Sequence, residues 1–253
     1  MAPAKLTCLL FDLDGTLIDS MGLIFASYRH ALREVLGLAV SEEALVACFG
    51  KPLVQGLACL AGLPSDLPAT MALTAHQHQP ANADEAQTEQ ALMRRLLYTY
   101  RKHNLEHHDE YVHSFPRVNE TLAELQQRGY ALAVVTSKAH LTADLSARHC
   151  GLDRYLGTLV ALEDTATHKP DPAPLLLALR RLGRRPEEAL YLGDAAVDVL
   201  AARAAGVTAA AALWSPLPRD VLLVLAPDHA LESIDQLLVI CPPLRCPAPA
   251  AGL

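Results

Sequence analysis

The chain has 253 residues, 51% of them apolar and 19% charged, and a formal net charge of −7. This is an ordinary globular balance in a chain long enough to bury a full core. The acidic balance and scattered basic residues exclude a nucleic-acid partner, because a duplex-binding face needs a positive patch. An anionic ligand would have to be captured by a local site working against the overall charge.

The apolar run at residues 6–11 stops at Asp12 and a Gly-containing turn, as a buried parallel strand does. It is too short for the apolar region of a signal peptide or for a membrane span, so a cytoplasmic protein with no membrane partner is expected. Residues 21–36, 42–48, 53–61 and 85–100 then carry helical patterns with no strand-like run among them. Residues 19–113 therefore read as a helical insertion after the first strand, with 64–82, rich in Pro, Ala, Gln and His, as an irregular loop. Apolar runs recur at 131–135, 158–161, 189–192 and 207–213. Helical patterns precede Gly129, Gly183 and Gly206, and glycine there is the expected helix stop. Strands alternating with helices predict an α/β fold with a Rossmann-like parallel-sheet core. Residues 1–18 and 114–253 would form that core, with the Pro- and Ala-rich residues 241–253 as a disordered tail.

Six cysteines (Cys8, Cys48, Cys59, Cys150, Cys241, Cys246) show no CxxC pair and no Cys/His ligand spacing. Cys241 and Cys246 would suit a metal or a disulfide, but free thiols in a reduced compartment are the simpler reading.

Chemistry gathers at four strand ends. Asp12 and Asp14 follow the first strand; ligands of parallel sheets bind at such carboxyl ends, and two close carboxylates favour a cation or a shared proton. An Asp-Gly turn capping a strand explains the pair equally well. Thr136 and Ser137 end the run at 131–135 and could hold phosphate oxygens at a helix start, or simply cap that helix. Lys169, just before Pro170, could aim a compact cation into a site or sit on a solvated turn. Asp194 and Asp198 follow the run at 189–192 and suit magnesium, which takes carboxylate oxygens, substrate phosphate and water. Helix starts also attract Asp for structural reasons alone. The conjunction of carboxylates, hydroxyls and one lysine on one sheet edge carries more weight than any of its parts.

These four motifs, in this order, resemble the phosphatase branch of the haloacid dehalogenase-like superfamily over residues 5 to about 206. The resemblance implies Asp12 as nucleophile, forming an aspartyl-phosphate, and Asp14 as general acid and base. It implies that Thr136 and Lys169 hold the phosphoryl group and that Asp12, Asp14, Asp194 and Asp198 serve Mg2+, Asp14 through its main-chain carbonyl. Residues 19–113 resemble the family's mobile cap domain. Phe115-Pro116, Glu120-Thr121-Leu122 and Arg128-Gly129-Tyr130 resemble the phosphoglycolate phosphatase and pyrophosphatase group, and residues 100–105 with His108-Asp109-Glu110 are closer to bacterial pyrophosphatases. Ser137 stands where Asn is usual and Arg117 where Gly is usual.

A small-molecule phosphate is the expected substrate, pyrophosphate first and phosphoglycolate next, with Ser137, Lys51 and Arg101 as further substrate-binding residues. A phosphomutase of the β-phosphoglucomutase type and a non-catalytic phosphate-binding module are the alternatives, and a monomer or homodimer fits the composition.

Overall fold

The computed structural model describes residues 6–64 and 88–244. Strand β1 (Cys8–Phe11) is sealed from solvent on both faces. Cys8 and Leu10 belong to one apolar core, Leu9 and Phe11 to another. Side chains alternate across a strand with period two, so an all-apolar run is what a strand covered on both sides requires.

After a short strand β2 (Ile18–Asp19) the described residues form helices α1 (Met21–Leu36), α2 (Glu42–Cys48), α3 (Leu53–Ala61), α4 (Glu89–Glu106) and α5 (His108–Tyr111). The chain returns through β3 (His113–Ser114), which pairs antiparallel with β2, Ile18 opposite Ser114 and Asp19 opposite His113. The expected division at 18/19 and 113/114 runs through this two-stranded ribbon. The first four helices share a core of their own, built from Phe25, Leu32, Leu45, Leu57, Met93 and Leu97 among others. Each such fully buried side chain contributes roughly 1.5–3 kcal/mol. Tyr28 of α1 meets Tyr100 of α4 edge to face, with ring centres 4.9 Å apart. The expected loop at 64–82 lies, apart from Pro64, outside the described residues, as does the start of the helix expected at 85–100.

The remainder alternates as expected: α6 (Val118–Gln127), β4 (Ala131–Val135), α7 (His140–His149), β5 (Thr158–Val160), α8 (Ala173–Leu182), β6 (Ala189–Gly193), α9 (Ala196–Ala205) and β7 (Thr208–Ala212). Not anticipated were α10 (Arg219–Leu223), β8 (His229–Leu231) and α11 (Leu237–Ile240), nor the earlier β2 and β3. Each is too short for a periodic pattern to emerge. The main sheet runs in the order β5-β4-β1-β6-β7-β8, every pair parallel.

The tail needs a correction at its start. Residues 241–244, expected to be disordered, are packed. Cys241 is fully buried, and Arg128 Nη1 donates to the Leu238 and Cys241 carbonyls at 2.6 and 2.8 Å. The Tyr130 hydroxyl donates to the Pro242 carbonyl at 2.9 Å, and the Leu244 N–H to the Arg128 carbonyl at 2.9 Å. Proline has no N–H but keeps its carbonyl, so a Pro-Pro stretch is well anchored by outside donors. The Cys246 partner weighed for Cys241 lies outside the described residues. Among those residues no helix is long and apolar enough to cross a membrane.

Candidate active site

Strands β1, β4 and β6 end in line, because Phe11 pairs with Val134 on one side and Leu192 on the other. The next turns therefore leave the sheet at one place. The Asp12 N–H donates to the Leu192 carbonyl and the Thr136 N–H to the Val160 carbonyl, both at 2.9 Å. Two glycines permit the close approach that follows. A Cβ on Gly15, whose φ is 84°, would lie 2.0 Å from Asp194 Oδ2, and one on Gly193 would lie 2.4 Å from Asp198 Cγ. Any side chain at either position would displace a carboxylate.

Lys169 is the hub of the cluster. Its Nζ donates to Asp12 Oδ1 at 2.8 Å, to Asp198 Oδ1 at 2.7 Å and to the Tyr191 hydroxyl at 3.0 Å. Burial works against its charge, but Asp12 and Asp198 outweigh burial and hold the ammonium protonated well above the usual lysine range. The Tyr191 hydroxyl lies 3.0 Å from both Asp198 Oδ1 and the Val135 carbonyl and can give its proton to either. Asp198 Oδ2 accepts the Ala195 N–H at 3.0 Å. Both oxygens of Asp198 are thus already engaged.

Asp194 is the opposite case. It is 1% exposed, and neither carboxylate oxygen has a hydrogen-bond partner among the described residues. Burial first, then Asp12 and Asp198, push its carboxyl well above the ordinary range, with Ser215 and Lys169 pulling the other way. Asp12 is driven up to about 7, by burial first, with Lys169 opposing and Asp198 adding. Carboxylate oxygens of Asp12, Asp194 and Asp198 lie within 4.8 Å of one another, and one ammonium cannot neutralise three carboxylates. An oxygen-only donor set, short of positive charge and holding an orphaned carboxylate, fits a hard divalent cation such as magnesium.

Asp14 stands apart from that cluster. Its Oδ1 accepts from Lys138 Nζ at 2.7 Å and from the Ser20 hydroxyl at 2.5 Å. Between the sheet edge and the helical insertion lies a cavity of about 120 Å3. Asp12, Asp14, Thr136, Ser137, Lys138 and Lys169 line it from the sheet side, and Tyr28, Lys51, Tyr100, Arg101 and Asn104 from the insertion. The Ser137 hydroxyl is buried without a partner, and Thr136 Oγ1 accepts the Lys138 N–H at 3.2 Å. The structure so gathers every residue expected from the sequence around one space, except that Asp194 is not among the lining of this cavity and opens instead on a neighbouring groove beside Ala195 and Leu217. Sequence reasoning missed Lys138, which adjoins the two hydroxyl residues but offered no sign of its partner. It also missed Tyr191, whose hydroxyl is hidden in an apolar run, and the aromatic pair Tyr28 and Tyr100.

A family model described as haloacid dehalogenase-like hydrolase matches residues 9–212. The chain belongs to the haloacid dehalogenase-like hydrolase family. A relative in Caldanaerobacter subterraneus subsp. tengcongensis, provisionally named pyrophosphatase PpaX, is 38% identical over 236 residues, 93% of this chain and 94% of its own. Pyrophosphatase PpaX of Bacillus velezensis is 34% identical over 95% of this chain and 98% of its own. A solved structure from Bacteroides fragilis, assigned to the haloacid dehalogenase-like hydrolases, superposes with a TM-score of 0.76 at 26% identity, covering 92% of this chain and all of that one. The family and these relatives make the enzyme class of the chain phosphatase.

Proposed function

We propose that this hydrolase is a magnesium-dependent phosphatase of small phosphorylated compounds that works through a phosphorylated Asp12, with pyrophosphate as first candidate substrate and phosphoglycolate as second. The observation that carries the reading is the buried carboxylate cluster with Asp194 unsatisfied at one side and Lys169 bridging Asp12 and Asp198 at the other. Cavity size supports the substrate class. A volume of about 120 Å3, several times the roughly 30 Å3 that a water occupies in the liquid, suits a small phosphorylated compound. The names of the PpaX relatives point the same way.

In this mechanism an Asp12 oxygen attacks phosphorus, and the bond from phosphorus to the leaving oxygen breaks. Asp14, entering the step protonated, gives its proton to that oxygen. In the second step water attacks the aspartyl-phosphate, Asp14 takes the water's proton, and Asp12 and phosphate are released. Asp12 and Asp194 would hold magnesium, which supplies charge neutralisation for the transferred phosphoryl group. Asp198, with its oxygens already used, acts as a positioning residue for Lys169 rather than as a direct ligand. Lys169, Thr136 and Ser137 hold the phosphoryl oxygens, and Lys51 and Arg101 face them from the helical insertion, which serves as the cap domain. Lys138 Nζ holds Asp14 Oδ1 at 2.7 Å, so the first step requires Asp14 to leave Lys138 and carry a proton.

Phosphate release from a panel of small phosphates, with and without magnesium, tests the reading. Asp12→Asn is expected to lose about 10^4-fold or more in kcat, as removal of a covalent nucleophile does. An Asp12→Asn protein with undiminished turnover would sink the covalent mechanism.

A further inference from the structure

Among the charged groups around the cavity, the structure treats one differently from the rest. Lys169 has three partners, and Lys138 is paired with Asp14. Lys51 is exposed, so water solvates it. Arg101, on α4, is only 8% exposed, and its Nη1 is sealed from solvent with no hydrogen-bond partner. Nor does any carboxylate among the described residues form an ion pair with it. The nearest electrostatic help is Glu163, whose Oε2 is already accepting the His140 N–H. A guanidinium does not escape burial by losing its proton, and a buried charge without a partner is strongly unfavourable. Such a group is kept where a ligand completes it.

We propose that Arg101 is the specificity-determining residue of this site, requiring a second oxyanion on the substrate, a phosphate or a carboxylate, a short linkage away from the phosphorus that Asp12 attacks. The proposal rests on the phosphatase reading above. The planar fork of a guanidinium matches either oxyanion with two parallel hydrogen bonds. Tyr28 and Tyr100, crossed edge to face in the same wall, limit how far the far end of a substrate can extend. Lys51, being solvated, contributes little to the choice. Of the two cap cations expected from the sequence, the buried one therefore selects.

The test compares kcat/KM for pyrophosphate, phosphoglycolate and ethyl phosphate, the last of similar size but with no second charge. Wild type is expected to favour one or both two-headed substrates, and the leading one tells a phosphate end from a carboxylate end. In Arg101→Gln that preference ratio is expected to fall about 100-fold, and in Arg101→Lys to recover in part. Melting of ligand-free Arg101→Gln at or above the wild-type temperature would show that the loss is not unfolding. The proposal is overturned if wild type shows no preference, or if Arg101→Gln lowers all three substrates together and leaves the ratio unchanged. A calorimetric titration with magnesium and methylenediphosphonate, which cannot be hydrolysed, separates this inference from the reading beneath it. If wild type hydrolyses none of the compounds, the phosphatase reading falls. Arg101 is then judged by whether Arg101→Gln loses methylenediphosphonate binding, and equal affinity overturns it.

Discussion

The two walls of the cavity are built on opposite principles. On the sheet side, the charged groups lining the cavity are already engaged: Lys169 with Asp12 and Asp198, Asp198 also with the Tyr191 hydroxyl and the Ala195 N–H, Lys138 with Asp14. On the helix side, the wall is aromatic and apolar, and its buried cation, Arg101, is left unpaired. The difference separates two tasks. Charges that act alike on every substrate can be paired in advance, whereas recognition leaves a cation unpaired until the right molecule arrives.

The sheet-side wall is most vulnerable at Lys169. Lys169→Met leaves Asp12 and Asp198 buried without their counter-charge. A loss of about 3–5 kcal/mol in unfolding free energy is expected, as for other broken buried pairs, together with loss of turnover. Denaturant unfolding measures the first, and a midpoint within error of wild type would show that the carboxylates relax elsewhere. Next comes Asp14, which touches both walls. A leaving phosphate needs less help from an acid than a leaving alkoxide, so Asp14→Asn should spare pyrophosphate relative to phosphoglycolate by roughly 100-fold in kcat, within the usual range for general acids. Equal losses on the two substrates would argue that Asp14 acts mainly by its charge.

A smaller effect separates the helical insertion from the core by pH. His103 stacks between His30 and His107, with ring centres 4.6 and 4.4 Å apart. Burial first, then the two neighbouring imidazoles, lowers its pKa below the usual 6.5. The folded state then binds this proton less readily than the unfolded chain does. Its stabilising contribution is present above pH 6.5 and is lost as pH falls through the lowered value. His103→Gln should flatten the acid side of the thermal-stability profile while leaving its alkaline side in place; an unaltered profile would remove the stack from the explanation. The smallest effect belongs to Arg117, which caps α6 with φ at 66°. Glycine adopts that conformation without strain, so Arg117→Gly is expected to change stability by no more than about 1 kcal/mol, in the stabilising direction. Chemical denaturation would detect it, and a clear loss would mean that the Arg117 side chain holds something the backbone argument omits.

Much of the core was legible because its signals are local. Residues 131–135 and 189–192 are apolar on both faces, and only a strand covered on both sides buries such a run. The order of Asp12, Thr136, Lys169 and Asp194 along the chain was visible for the same reason, each standing just beyond a strand or at the start of a helix. Lys138 was passed over although it adjoins Ser137, because its role comes from Asp14, 124 residues away in sequence. The packing of residues 241–244 was missed because composition describes what Pro and Ala do alone, not what Arg128 and Tyr130 do to their carbonyls.

Sequence by itself determined the α/β class, the helical insertion and the order of the four polar clusters at strand ends, since periodicity and residue type are properties of short segments. Tertiary structure alone decided which carboxylates hold Lys169 and which is left without a hydrogen-bond partner, and which of Lys51 and Arg101 is solvated and which is buried and unpaired. Those distinctions depend on burial and on partners remote in sequence, and a charge's energy is set by what surrounds it in space.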